Sequence, residues 1–195
     1  DYLTPGALAE QYRVLKSDGV DVCYGDYQVY SEEKNEVVSY TRNGDYSRLF
    51  EGVASSGIKR TPIIFLFKRS AVEQVRWDES LDYHQDVAFV LDAASRHLTC
   101  RKADTVVAVL RTHGKGKIAD TRKEASTAKK RKLKSKMFWR AYRQLAAHGS
   151  LDASLRQAAA AGLWRQAHML APYSFRAFNR CYDKICVVDP TFLPS

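Results

Sequence analysis

The stretch Val20-Asp21-Val22-Cys23-Tyr24-Gly25-Asp26-Tyr27-Gln28-Val29-Tyr30 decides the fold. Its β-branched and aromatic residues predict a strand that is punctuated at Gly25-Asp26 and continues through Tyr27 to Tyr30. Upstream, Thr4 is placed to cap a helix with Pro5 at its first position. Leu8, Tyr12 and Leu15 follow at spacings of four and three before Gly19 stops it. Downstream, the polar residues 31 to 35 predict a turn and residues 36 to 40 its return strand. Residues 44 to 58 read as a short helix or loop around Leu49 and Phe50, closing at Gly57. The apolar run from Ile63 to Phe67, bounded by Pro62 and by Lys68-Arg69-Ser70, fits a buried strand. Residues 85 to 96 have helical spacing, and residues 104 to 110 form another β-branched strand. Strands joined by short helical crossovers predict an α/β domain.

After Thr112 the character changes. A Lys-rich loop carries Gly114 and Gly116, and from about Arg122 to His148 the pattern is helical, with Leu133, Met137, Ala141 and Leu145 four apart. Gly149-Ser150 ends that helix and caps the next, in which Leu151, Leu155, Ala158, Ala159 and Leu163 fall on one face. Residues 173 to 187 suit a third helix. The expected organisation is therefore an α/β part over residues 1 to 118 and a basic helical extension over 119 to 195.

The chain has 195 residues, 45% of them hydrophobic and 27% charged, which is globular composition. No apolar run approaches the roughly 18 residues of a membrane-crossing helix. Cys23, Cys100, Cys181 and Cys186 are too scattered for a disulfide framework, and none forms a CxxC pair. The net charge of +9 is local. Residues 115 to 143 hold twelve Lys/Arg against Asp120 and Glu124, a surplus of +10, while the rest of the chain carries −1.

Four features could carry chemistry: Asp1-Tyr2-Leu3 with Pro5-Gly6; Tyr24-Gly25-Asp26; Trp77-Asp78-Glu79-Ser80-Leu81 followed by His84-Gln85-Asp86; and Arg111-Thr112-His113. In this order, with Phe67-Lys68-Arg69-Ser70, they resemble the C-terminal half of the family 2 inverting glycosyltransferases of GT-A fold, over about residues 1 to 118. The resemblance implies a mixed sheet with flanking helices, the C-terminal part of a GT-A domain, preceded by a nucleotide-binding half that ends in Asp-x-Asp. The opening Asp1-Tyr2-Leu3, in place of Met, and the small strand count raise the same expectation of a fragment that is inactive alone.

The implied reaction moves a sugar from a nucleoside diphosphate sugar to a glycan or lipid-linked acceptor, as in synthesis of cell-envelope polysaccharide or glycoconjugates. It needs a carboxylate to take the proton of the attacking hydroxyl. By its match to the family pair, Asp86 is the candidate base. Read from the residues alone, Asp86 suits a plain helix cap better, and the family context reverses that preference. The family's metal site implies Mn2+ or Mg2+ at the diphosphate, with His113 and Asp1 as the residues of this chain nearest to it in the pattern. Trp77, Asp78, Glu79, Gln85 and Asp26 are candidate acceptor contacts, with Asp26 at the end of its strand. Gln85 replaces an acidic partner common beside the base.

The basic helix, with Lys129, Lys130, Arg131, Lys132, Lys134 and Lys136, admits three readings. It lies on an anionic membrane surface with Phe138, Trp139 and Tyr142 inserted, it tracks nucleic-acid phosphates, or it is a solvated face packing Leu133, Met137 and Leu145 on the domain. The nucleic-acid reading ranks lowest. The expected location is the cytoplasm, peripheral at the inner face of the membrane. The rival to a transferase is a non-catalytic basic module that holds an anionic membrane or nucleic acid through residues 115 to 143.

Overall fold

A computed structural model describes residues 1–113, 127–149 and 151–193. The Gly114–Gly116 loop, the first residues of the predicted basic helix, Ser150 and the proposed boundary at 118/119 lie outside the described residues. The elements run β1 (Tyr2–Leu3), α1 (Ala7–Ser17), β2 (Val22–Ser31), β3 (Glu36–Thr41), α2 (Leu49–Ser55), β4 (Phe65–Phe67), α3 (Arg69–Val72), α4 (Gln85–Ala94), β5 (Cys100–Thr112), α5 (Thr127–His148), α6 (Ala153–Leu170) and α7 (Phe175–Val188). The α/β expectation holds: a mixed five-stranded sheet is flanked by helices and followed by a helical C-terminal part.

β2 is the spine of that sheet. Along one side it runs parallel to β5, from Val22 opposite Cys100 to Ser31 opposite Thr112. Along the other it pairs antiparallel with β4 through Val22, Cys23 and Tyr24, then with β3 from Tyr27 onward. β1 closes the far side of β5. A strand hydrogen-bonded on both sides and covered by helices must bury both faces, and residues 22 to 26 are all buried. The register with β5 shifts around Gly25, where a Cβ would stand 2.4 Å from Val107 Cγ1 and 3.0 Å from the Thr105 carbonyl. Only a residue without Cβ admits this approach, so the break seen in the sequence at Gly25 is a bulge inside one continuous strand.

Several expectations are corrected. Asp26 lies in the middle of β2, because the strand runs through the bulge to Ser31. Thr4 does not cap α1. Its hydroxyl donates to the Val106 carbonyl at 2.5 Å, and Gly6, at φ 77°, begins the helix. The inward face of α1 is Ala7, Gln11, Val14 and Leu15, whereas Leu8 and Tyr12 are exposed. A hydrophobic count misses this face because Gln11 is buried as a donor to the Ile64 and Cys23 carbonyls. In the run from Ile63 to Phe67, Pro62–Ile64 forms a 3-10 turn and only the last three residues pair as strand. Asp152 caps α6, accepting from the Leu155 N–H at 3.0 Å.

The helical part shares one hydrophobic core with the sheet. Val53 and Ala54 of α2, Leu91 of α4, Phe138 and Leu145 of α5, and Leu163 of α6 belong to the same buried cluster. The closest approach is at Gly162 of α6, where a Cβ would lie 3.0 Å from both the Ala54 carbonyl and the Phe138 ring. Among the described residues no helix is long and apolar enough to cross a membrane, and all four cysteines are free thiols.

Gly25→Ala is expected to destabilise the fold by about 1–3 kcal/mol, because the methyl must displace Val107 or the β5 backbone. A fall in the urea midpoint with an unchanged slope would show it, and an unchanged midpoint would refute the close approach.

Candidate functional site

The loop from Arg76 to His84 delivers most of the sequence candidates to the start of α4. Trp77 stacks on Phe89 of α4 at 4.8 Å between ring centroids and is half exposed. Asp78 Oδ1 accepts from the Ser80 N–H and hydroxyl, and its Oδ2 faces Arg140 of α5 at 3.6 Å, while Arg140 also donates to Asp92 at 2.9 Å. Glu79 is exposed. Gln85 Nε2 donates to the Leu81 carbonyl at 2.8 Å, so this amide braces the loop from within.

α4 begins on a left-handed residue, His84 at φ 66°, and its first turn carries Asp86. Asp86 is therefore not the cap, and the plain capping role is removed. It is an exposed carboxylate in the first turn, where the helix dipole favours negative charge. Three basic groups feel that charge: Arg60 from the loop after α2, His84, and Lys134 from α5. Burial pushes the His84 imidazole down to about 4, and the nearby Lys134, Lys130 and Arg131 add to that push while Asp86 opposes it. Tyr83 packs its ring edge against His84 and carries Lys130 over its face.

Asp26 takes a different place from the one expected. It is 4% exposed, accepts from the Tyr40 hydroxyl and the Asn43 N–H, each at 2.8 Å, and pairs with Lys102 at 3.1 Å. The hydrogen bond to Asp26 holds the Tyr40 phenol above its ordinary value. Asn43 in turn accepts from the Lys59 N–H at 2.9 Å. Both oxygens of Asp26 thus serve to anchor the segment that carries Lys59 and Arg60, and neither is left for an acceptor.

Asp1 precedes β1, and His113 follows the C-terminal end of β5. Asp1 Oδ1 accepts from the Arg111 N–H at 2.8 Å. Among the described residues no three His, Cys, Asp or Glu side chains converge as a cation site. No step below passes through a metal ion.

Over its described residues the aromatic side chains of the basic helix turn inward. Phe138 is buried, Trp139 and Tyr142 stack on each other and pack on the core, and Lys184 of α7 covers Trp139. The apolar face that insertion would need is already inside the protein, as expected for a helix packing Met137 and Leu145 on the domain. Lys129, Lys132 and Lys136 face outward. Lys130, Arg131 and Lys134 are half-buried near His84 and line one small cavity with it. Sequence reading missed Lys59, Arg60, Arg165 and Gln166, which join them. The pair Lys59-Arg60 before Pro62 was a weak signal, and Arg165 and Gln166 gave none.

No family model and no curated protein matches this chain. Among solved structures it is similar to the crystal structure of S. aureus TarS in complex with UDP-GlcNAc, with a TM-score of 0.65 at 9% identity. The likeness covers 96% of this chain and 54% of that one, so the chain spans about half the length of that structure. At this identity the shared property is the fold.

The half-buried His84 imidazole sets an acid limb of stability. A folded pKa near 4 against an ordinary value near 6.5 means the unfolded chain binds the proton first. Stability is then full above about pH 6.5 and is lost as pH falls towards 4, by about 2–3 kcal/mol. His84→Asn, which tolerates the left-handed backbone, is expected to remove this part of the loss. Urea unfolding at pH 7 and pH 4.5 compares the two proteins, and equal losses would overturn the assignment.

Proposed function

We propose that this chain contributes the acceptor side of a glycosyl transfer from a nucleoside diphosphate sugar, with Asp86 as the general base. The observation that carries the reading is the placement of Asp86. It is an exposed carboxylate in the first turn of α4, in the positive field of Arg60 and Lys134. The likeness of fold to a protein bound to UDP-GlcNAc supports a nucleotide-sugar donor.

In the proposed step the Asp86 carboxylate takes the proton of an acceptor hydroxyl as that oxygen forms its bond to the anomeric carbon. The bond from that carbon to the diphosphate oxygen breaks, and the nucleoside diphosphate leaves with the electron pair. Attack from the face opposite the leaving group inverts the anomeric centre, as the family resemblance implies. Trp77 offers a ring face for a sugar. Glu79 of the loop and the amide oxygen of Gln85 at the start of α4 are the proposed contacts for acceptor hydroxyls. Asp78, held by Ser80 and Arg140, keeps the loop in place. A glycan or lipid-linked acceptor of the cell envelope is the proposed substrate class, and a cytoplasmic position beside the membrane follows from that class.

A second reading is favoured by one observation. Lys129, Lys132 and Lys136 leave a basic face outward on α5, so the chain could hold an anionic surface without catalysis. The two readings part at Asp86. In the intact protein, Asp86→Asn is expected to cut release of UDP from UDP-sugars, in the presence of envelope glycan, by about 100- to 10,000-fold. Donor affinity should be unchanged. Turnover within threefold of wild type would overturn the role of Asp86. Vesicle binding that falls with salt, with no turnover by either protein, would favour the basic module.

A further inference from the structure

The inner face of α5 changes character along its length. Phe138, Ala141 and Leu145 are fully buried on it, and at the preceding spacings of three and four the same face carries Lys134, Arg131 and Lys130. Where the core would continue, the helix turns cations inward. Arg131 and Lys134 meet Lys59 and Arg60 from the loop after α2, and Arg165 and Gln166 from α6, around a cavity of about 360 Å³.

This cavity holds five positive side chains and no carboxylate lines it. Among the described residues none of the five is in an ion pair within 4 Å. Arg60 donates to the Val53 carbonyl at 2.6 Å and lies over the Phe138 ring at 5.3 Å, and Arg131 points at the Met169 sulfur at 2.7 Å. Burial pushes Arg60 and Lys134 below their ordinary values, and the neighbouring cations deepen both shifts. Asp86 is the acid that counters each of them. Gln166 is 3% exposed, and its Oε1 has no partner.

Crowding like charges is costly where they are partly withdrawn from water, as Arg60, Arg131 and Lys134 are while Lys59 and Arg165 stay exposed, and a buried amide oxygen left unpaired adds to the cost. A multiply charged anion offsets the repulsion, while the Gln166 oxygen needs a donor such as a hydroxyl carried by the ligand. Guanidinium forks and ammonium groups match phosphate oxygens, and the Gln166 amide can turn either its N–H to a phosphate oxygen or its oxygen to a neighbouring hydroxyl.

We propose that the cavity between α2, α5 and α6 is a phosphate-binding site and that the phosphate is one carried by the acceptor. The second half rests on the reading of Asp86 as the acceptor's base, since two of the cations that line the cavity, Arg60 and Lys134, are ones that feel Asp86. A comparably basic cavity between α5 and α7, lined by Lys132 and Lys136, lacks any link to Asp86 and has no unpartnered amide.

The test is thermal unfolding of the 195-residue chain in inorganic phosphate against chloride at equal ionic strength. Phosphate should raise Tm by about 3–6 °C more than chloride. Lys134→Met should weaken phosphate affinity about tenfold or more, while Lys16→Met, which removes a charge from exposed α1, should change it less than twofold. In phosphate-free buffer Lys134→Met should raise Tm, because it relieves a desolvated, repelled cation. No phosphate-specific shift, a shift that survives Lys134→Met, or one lost instead in Lys132→Met would each overturn the site.

Glycerol 3-phosphate and UDP separate the sources. A Lys134-dependent shift with the former and none with the latter supports an acceptor phosphate, and the reverse overturns that half. Binding needs no turnover, so Asp86→Asn should keep the phosphate shift even where catalysis fails, which separates this site from the transfer reading.

Discussion

The parallel pairing of β2 with β5 is the constraint on which the rest of the structure depends. Two strands far apart in sequence are locked from Val22 and Cys100 to Ser31 and Thr112, and the chain between them must return through helices. That return places α4 immediately before β5 and so fixes where its N-terminus opens. The pairing also buries Tyr24, whose hydroxyl donates to the Gly44 carbonyl and accepts from the Tyr46 N–H, both at 2.9 Å. Beyond the bulge at Gly25, Asp26 ties down Asn43. The loop that ends in Lys59 and Arg60 is thus positioned by polar groups of β2, which explains why this strand carries buried polar groups at all.

The helical region is built onto the sheet rather than appended to it. α6 crosses α2 where Gly162 lets the backbones approach, and Phe138 of α5 fills the same junction. Arg48 reaches from the start of α2 to both Glu51 and the α6 cap Asp152, so the two parts share polar contacts as well as core. With α5 held by this packing, its first turns lie against the mouth of α4. A helix free to rotate would turn Lys130, Arg131 and Lys134 to water. Its buried lower face prevents that, and core packing at one end of the helix enforces charge crowding at the other.

Charge crowding and the carboxylate at its edge are two parts of one arrangement. The His84 imidazole is kept neutral by burial and by the cations of α5, so it adds no further positive charge beside Asp86. Among the described residues Asp86 is the acidic group that opposes Arg60 and Lys134. A site with this balance is poised for an anionic partner, and its residues are drawn from α2's loop, α4, α5 and α6.

Local patterns were enough to reveal the alternation of strands and helices, the α/β class, the bulge at Gly25 as a break in a strand, and Asp86 at the opening of a helix. Each of these depends on residues within a few positions of one another, where period, turn residues and dipole act directly. The excess of charge near residue 130 was equally visible as composition. What only the tertiary structure decided is direction. It chose the Gln11 face of α1 over the Leu8 face, turned Asp26 from a surface ligand into an internal anchor, and buried the apolar face of α5. It also brought Arg60, Lys134 and Arg165 together from positions more than a hundred residues apart. Their convergence is set by which surfaces pack, and packing is a property of the whole chain that no spacing along it encodes.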